Sequence, residues 1–87
     1  MTDRRFRVRV DVRLNQNVND PQGNAVRAGL HSLGHADVAA VRVGKVVELT
    51  LTATDAQTAR ERVDRMCHEL LANPVIESFH ITLEESG

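Results

Sequence analysis

Apolar and charged residues alternate near the start of the chain, and this alternation is the strongest constraint on its fold. The apolar positions of the pattern are Phe6, Val8, Val10, Val12 and Leu14. Since successive side chains of a β-strand point to opposite faces, a period of two predicts a strand with one buried face and one polar face. The fold is therefore expected to begin with a half-buried strand.

Two amphipathic helices are predicted further along the chain. Asp20 supplies a capping side chain directly before Pro21, which is favoured at the first position of a helix. Apolar residues then recur at helical spacing until Gly34, which provides a left-handed stop. A capping box at residues 54–57 begins the second helix, and Pro74 ends it.

Three further strands complete the predicted fold. Residues 38–43 are expected to form a short strand, and residues 47–53 alternate in the next one. Gly44 and Lys45 between them suit a two-residue turn, which predicts a hairpin. Residues 75–83 form the last strand. The predicted order is β-α-β-β-α-β, an α+β chain with a ferredoxin-like antiparallel sheet and both helices on one face. Residues 1–87 are expected to form one domain.

Composition disfavours nucleic acid and membrane partners. The formal net charge is -1 with 26% charged residues, so the chain has no overall field that would attract polyanions. An RNA-binding sheet stacks bases on exposed aromatic side chains, whereas Phe6 and Phe79 fall in phase with the buried positions. The N-terminus has no apolar signal region, and the single cysteine suits a reducing compartment. We therefore expect a cytoplasmic protein.

No group of residues in the sequence predicts catalytic, cofactor-binding or metal chemistry. Cys67 follows the apolar spacing of the second helix and is interpreted as a core residue. His31 and His35 have the spacing of a helical metal pair, but Gly34 is expected to end the helix between them. Gly44 lacks the glycine-rich lead and the helix of a phosphate loop.

Contacts with other chains are instead predicted at the ends of the sheet. Four residues on two short turns are the candidates: Arg42, Lys45, Asn73 and Pro74. Arg42 is out of phase with its apolar neighbours, so its guanidinium is expected to reach solvent or a carboxylate of another chain. An ordinary solvated turn remains an alternative for either basic residue. The small core and the uncovered polar sheet face also predict a homo-oligomer, a dimer or a tetramer.

Four short motifs in this order resemble those of one known family. They are Asp20-Pro21-Gln22-Gly23, Val41-Arg42-Val43-Gly44-Lys45, Met66-Cys67 and Leu70-Leu71-Ala72-Asn73-Pro74-Val75-Ile76-Glu77. On these residues the chain resembles PurS, the small accessory subunit of bacterial phosphoribosylformylglycinamidine synthase, a ligase of purine biosynthesis. The resemblance covers nearly the whole chain.

The resemblance implies a non-catalytic role in a larger enzyme. PurS-like chains join a synthetase subunit (PurL) and a glutaminase subunit (PurQ) and support ammonia transfer between them. No cofactor is then expected on this chain, and ATP and magnesium are expected on the synthetase partner. The alternative is a stand-alone regulatory module that binds a small molecule, because ferredoxin-like domains also serve that purpose and fold alone does not decide between them.

Overall fold

One three-stranded antiparallel sheet forms the centre of the protein, seen in a computed structural model that describes residues 3–86. Strand β1 spans Arg4–Leu14, β2 spans Gly44–Ala53 and β3 spans Glu77–Ser86. The strand order is β2-β1-β3, so β1 is hydrogen-bonded along both of its edges. The register places Val8 opposite Leu49 on one side and opposite Leu83 on the other.

The alternation of β1 separates a core from a polar face, as the sequence predicts. Phe6, Val8, Val10 and Val12 are all at most 3% exposed. Most of their in-register neighbours on β2 and β3 are half-buried apolar residues packed against the same cluster, whereas Val12 faces Lys45 on β2 and Phe6 faces Glu85 on β3. The opposite face carries four arginines, Arg5, Arg7, Arg9 and Arg13, which remain exposed. Both phenylalanines lie with the core, Phe6 fully buried and Phe79 half-buried.

Helix α2, which spans Ala56–Met66, supplies the layer that covers the core. Asp55 caps it by accepting a hydrogen bond from the Thr58 N–H at 2.7 Å. The helix presents Ala59 and Val63 to the sheet, and both are fully buried. Contacts with β2 and β3 hold it across the sheet.

The end of this helix widens into a π-helical turn at Cys67–Leu71, which the sequence pattern did not predict. A π turn holds more residues than an α turn, so the inward positions follow Val63 in steps of four, to buried Cys67 and then to half-buried Leu71. Leu70 points away from these positions and is 83% exposed.

Helix α1, which spans Pro21–Ser32, begins and ends as predicted but extends away from the sheet. Gly34 has φ of 100° and provides the left-handed stop. Every residue of α1 except Gly23 is exposed or half-exposed. The expectation that both helices cover one face of their own sheet therefore holds for α2 alone.

The detached helix makes the molecule elongated. Its principal dimensions are 58 × 28 × 14 Å and its radius of gyration is 17.1 Å. A compact chain of this length would have a radius of gyration of about 12 Å. The difference shows that α1 and the segment that returns beside it project from the sheet.

The predicted α+β class with an antiparallel sheet is confirmed, but the strand at residues 38–43 and its hairpin are wrong. That segment has no regular secondary structure and lies outside the sheet. Gly44 pairs with Arg13 as the first residue of β2, so it continues a strand instead of turning the chain. A Cβ atom at Gly44 would lie 2.6 Å from the Val12 carbonyl oxygen, so close strand pairing explains this glycine.

The burial of Cys67 leads to a stability prediction. Cys67→Ala should lower the free energy of unfolding by roughly 1 kcal/mol, because it trims a small, fully buried side chain. Urea unfolding followed by circular dichroism measures the change. Leu70→Ala is the matched control on the exposed side of the same turn and should change stability by less than about 0.5 kcal/mol. A loss of function in folded Cys67→Ala protein would contradict the assignment of this thiol to the core.

Candidate partner-contact site

Three connecting segments converge at one end of the sheet. The register puts Arg13 opposite Gly44 and Leu14 opposite Glu77, so β1 ends where β2 and β3 begin. The Asn15 N–H donates to the Ile76 carbonyl oxygen at 2.8 Å, which ties the loop after β1 to the turn before β3. Three of the four predicted contact residues lie just before β2 or β3, and Lys45 is the second residue of β2.

The carboxylate of Asp20 holds the start of α1 against the segment that leads into β2. One oxygen accepts a hydrogen bond from the Gly23 N–H at 2.8 Å, and the other accepts one from the Val43 N–H at 2.8 Å. Asp20 is 5% exposed. The hydrogen bonds from Val43 and Gly23, with the nearby charge of Arg42, hold the pKa of this carboxyl below its usual value.

Gly23 is required at this junction by close packing. A Cβ atom there would lie 2.5 Å from the Val41 carbonyl oxygen and 2.7 Å from an Asp20 carboxylate oxygen. The Asp20 oxygen cannot withdraw without breaking its hydrogen bond from the Val43 N–H. The Asp20-Pro21-Gln22-Gly23 motif thus combines a cap, a helix start and a site of close backbone approach.

Arg42 does not reach freely into solvent, because its guanidinium binds the loop after β1. Nη1 donates to the Val18 carbonyl oxygen at 3.1 Å, and Nη2 donates to the Asn15 carbonyl oxygen at 2.8 Å. A longer contact of 3.4 Å joins Nη2 to the Leu14 carbonyl oxygen. The alternation argument missed this arrangement because residues 41–43 are not in a strand. Arg42 therefore stabilises the loop after β1 within its own chain, and this holds with or without a contact to another subunit.

Lys45 lies beside Arg42 on a groove that wraps around the ends of β1 and β2. The groove has a volume of about 910 Å³, and its charged lining residues are Arg9, Asp11, Arg13, Arg42 and Lys45. Lys45 is exposed, and within residues 3–86 it forms no ion pair. Arg13 was not among the predicted contact residues. Its place at the end of the alternating strand was the signal that could have identified it.

Asn73 and Pro74 form a rigid turn outside this groove. The Asn73 side-chain oxygen accepts from the Val75 N–H at 3.1 Å, and its carbonyl oxygen accepts from the N–H groups of Ile76 and Glu77. The Asn73 N–H donates to a Glu77 carboxylate oxygen at 2.6 Å. Val75 is 81% exposed on this turn. The four predicted contact residues thus lie on two surfaces: Arg42 and Lys45 line the basic groove, and Asn73 and Pro74 belong to the turn with exposed Val75.

Ion pairs neutralise most of the arginines of β1. Arg7 lies 2.9 Å from Glu84, Arg4 lies 3.2 Å from Glu85, and Arg9 lies 3.3 Å from Asp11. The cross-strand partners of Arg4 and Arg7 are both on β3. Glu48 forms no ion pair with any of residues 3–86. Pairs this exposed contribute little to stability, but they remove charge from the polar face.

The remaining reactive side chains have structural contacts. His31 donates from Nε2 to the Val38 carbonyl oxygen at 2.8 Å, and His68 packs edge-on against Phe79 with ring centroids 5.3 Å apart. Burial raises the pKa of the Cys67 thiol. Within residues 3–86, no cluster of three or more potential metal ligands occurs. No helix in the same range is long and apolar enough to cross a membrane.

An open sheet with a rigid basic end and exposed apolar side chains is typical of a domain that contacts other chains. A family model described as PurS, phosphoribosylformylglycinamidine (FGAM) synthase, matches residues 7–85. The chain is 49% identical to the PurS subunit of that synthase from Synechocystis, over 94% of this chain and 84% of the relative. It is 44% identical to the Bacillus subtilis PurS subunit, over 92% and 94%.

Solved structures agree with this match. A crystal structure of Bacillus subtilis PurS superimposes with a TM-score of 0.83 at 44% identity, covering 92% of this chain and 99% of that one. A chain in the structure of PurLQS from Thermotoga maritima gives a TM-score of 0.81 at 33% identity, with 94% and 98% covered. The chain belongs to the PurS family.

The lowered pKa of Asp20 leads to a prediction about pH. Because the ionised carboxylate accepts both hydrogen bonds, its stabilising effect is complete above about pH 4 and is lost as the pH falls through the lowered pKa. Asp20→Asn should lower the melting temperature at pH 7, since an amide has only one acceptor oxygen. The difference in melting temperature between Asp20→Asn and wild type should become smaller below pH 4. Asp37→Asn, on an exposed loop, is the control and should match wild type at both pH values. A difference in melting temperature that stays constant with pH would contradict the role of the ionised Asp20 carboxylate.

Proposed function

We propose that this chain is the non-catalytic PurS subunit of phosphoribosylformylglycinamidine synthase, bridging its synthetase and glutaminase subunits and supporting ammonia transfer between them. The main support is the family match over residues 7–85. The PurLQS structure from Thermotoga maritima contains a chain of the same fold and length, as 98% of that chain is covered. PurLQS is the assembly that we propose for this chain.

The proposal assigns nucleotide and magnesium chemistry to the partners. The N-terminus of an α-helix is a common place for a phosphate group, because its free N–H groups and dipole favour an anion. In this chain Asp20 fills that position on α1, and Asp55 fills it on α2. Because an aspartate of the chain already occupies the N-terminus of each helix, these positions do not offer a phosphate site. This supports placing ATP on the synthetase subunit.

The proposal includes a homo-oligomer, supported by the uncovered apolar side of α1. Val26 is 42% exposed and Leu33 is 76% exposed, with half-exposed Leu30 between them. An amphipathic helix gains stability mainly by packing its apolar face. Since α1 extends away from its own sheet, a second copy is the simplest source of a covering surface.

Contact with the other subunits is proposed at the end of the sheet where the groove and the turn lie. Lys45 and Arg42 belong to the groove, and Asn73 and Pro74 belong to the turn. Both surfaces are held by backbone hydrogen bonds, so little ordering entropy is lost on binding. The assembly is expected in the cytoplasm. No feature of residues 3–86 favours the alternative of a separate regulatory module.

The proposed role predicts a coupling effect without catalytic activity. The isolated chain should hydrolyse neither glutamine nor ATP. Added to the purified synthetase and glutaminase subunits, it should raise glutamine-dependent amidination of formylglycinamide ribonucleotide. Steady-state assays with ammonia in place of glutamine are the control, because direct ammonia supply should remove most of the requirement. Equal glutamine-dependent turnover with and without this chain would refute the role.

The exposed side of α1 leads to a prediction about self-association. The protein should be larger than a monomer at micromolar concentration by multi-angle light scattering. Leu33→Glu should shift it towards monomer, since a charge would have to be buried at the contact. Ser32→Glu makes the same charge change on the preceding exposed residue and should leave the mass unchanged. A monomeric wild type would contradict the proposed oligomer.

A further inference from the structure

The start of β2 lies on the apolar face of the sheet, to one side of the path of α2. An arginine of α2 donates to the Thr52 carbonyl oxygen at 2.8 Å, near the end of β2. At the other end of the helical segment, His68 packs against Phe79, near the start of β3. The segment thus crosses the sheet diagonally. Val47 and Leu49, near the start of β2, are only half-buried, whereas the valines opposite them on β1 are buried.

The ferredoxin-like topology would place α1 over this part of the sheet. In that topology the chain crosses from β1 to an outer strand beyond β2, and the helix of the crossover covers β2. Residues 38–43 would be that outer strand, but Asp20 binds the Val43 N–H and keeps them beside α1. Arg42 ties the base of this α1 arm (residues 21–43) to the loop after β1. The helix that suits β2 is therefore held away from its own sheet.

The apolar side of α1 and the apolar face of β2 match in length and chemistry. From Val26 to Leu33, the apolar side of the helix spans about 10 Å at 1.5 Å per residue. From Val47 to Leu51, the apolar face of β2 spans about 13 Å. Leu33 is 76% exposed, and the apolar side chains of β2 are half-buried. Within residues 3–86, one chain thus carries both halves of a helix-on-sheet contact that it does not itself form.

The exposed area of the protein indicates a missing contact of dimer size. The protein exposes 6266 Å² of solvent-accessible surface. A compact folded chain of this mass would expose about 5100 Å². The excess of roughly 1200 Å² is larger than the share of about 800 Å² that each partner buries in a standard interface. The projecting arm is therefore large enough to form a stable dimer contact when a second copy receives it.

We propose that two copies of this chain exchange their α1 arms, so that α1 of each copy packs over the start of β2 of the other, with Leu33 against Leu49. The inference rests on the homo-oligomer of the proposed function and names the surface that receives α1. A second copy is the occupant because the chain carries both surfaces, so a two-fold axis forms both contacts and closes the assembly. Packing of α1 against a second α1 would leave β2 uncovered.

A pair of opposite charges tests the exchange in the full chain. Leu33→Lys alone and Leu49→Glu alone should each raise the dissociation constant of the dimer about tenfold or more, because each places an unpaired charge in the contact. An equimolar mixture should recover a dimer with one copy of each variant. In this dimer the introduced ammonium and carboxylate meet at one contact, and the other contact keeps both leucines. Native mass spectrometry measures the composition and amount of each dimer.

The control for this experiment is Thr50→Glu. Thr50 is the next residue of β2 after Leu49 and is exposed on the polar face, so this variant should keep the wild-type mass. Circular dichroism checks that Leu49→Glu is folded, and a cross-link tests the same contact without any charge. Leu33→Cys and Leu49→Cys chains, each with Cys67→Ala to remove the native thiol, should be joined by a short bis-maleimide when they are mixed. Thr50→Cys in place of Leu49→Cys should not be joined.

Each other outcome has a defined meaning. A folded Leu49→Glu variant with the wild-type mass, or a mixture that recovers no dimer, would overturn the exchange. It would leave the proposed function intact where the wild type still stimulates glutamine-dependent turnover. Cross-links between two Leu33→Cys chains in place of the mixed product would assign α1 to a helix–helix contact and overturn the inference. A wild type that is monomeric at micromolar concentration would contradict both the exchange and the proposed homo-oligomer.

Discussion

Pairing of β1 along both of its edges is the constraint on which the rest of the structure depends. Ten residues of β2 and ten of β3 run antiparallel to the same central strand. Because both edges are filled, the face of β1 that holds Phe6 and Val10 is flanked by apolar residues on either side and becomes the core. The same pairing leaves residues 38–43 without a place beside β1. The chain between α1 and β2 runs beside α1 instead, with Val38 bound to His31 and Val43 bound to Asp20.

A buried carboxylate fixes the course of this segment. Asp20 joins two N–H groups from segments 20 residues apart, one at the start of α1 and one directly before β2. Arg42 adds donors to the loop after β1 from the other side. Without these ties, the polar connector after β1 would have few contacts to define its course. The groove at the sheet end owes its shape to this small set of hydrogen bonds and not to an apolar core.

Sequence reasoning succeeded where a single local pattern decides the structure. The alternation of β1, the capping by Asp20 and the stop at Gly34 each depend on neighbouring residues only, and all three are confirmed. It failed where a distant partner decides. Apolar spacing at 38–43 suits a strand, but this segment is held beside α1, where Asp20 binds the Val43 N–H. The π turn that exposes Leu70 follows from packing against the sheet.

In the candidate contact site, too, local patterns identify some features and distant partners decide the others. Alternation assigned Arg42 an outward guanidinium because it took residues 41–43 to be a strand; once that strand is absent, the nearest acceptors are the carbonyl oxygens of the loop after β1. Arg13 stayed unnoticed because its neighbours on β2 and β3 become known only with the register. Local sequence patterns can thus find the charged residues of such a surface. Only strand pairing shows which charges the chain neutralises itself and which remain available to another subunit.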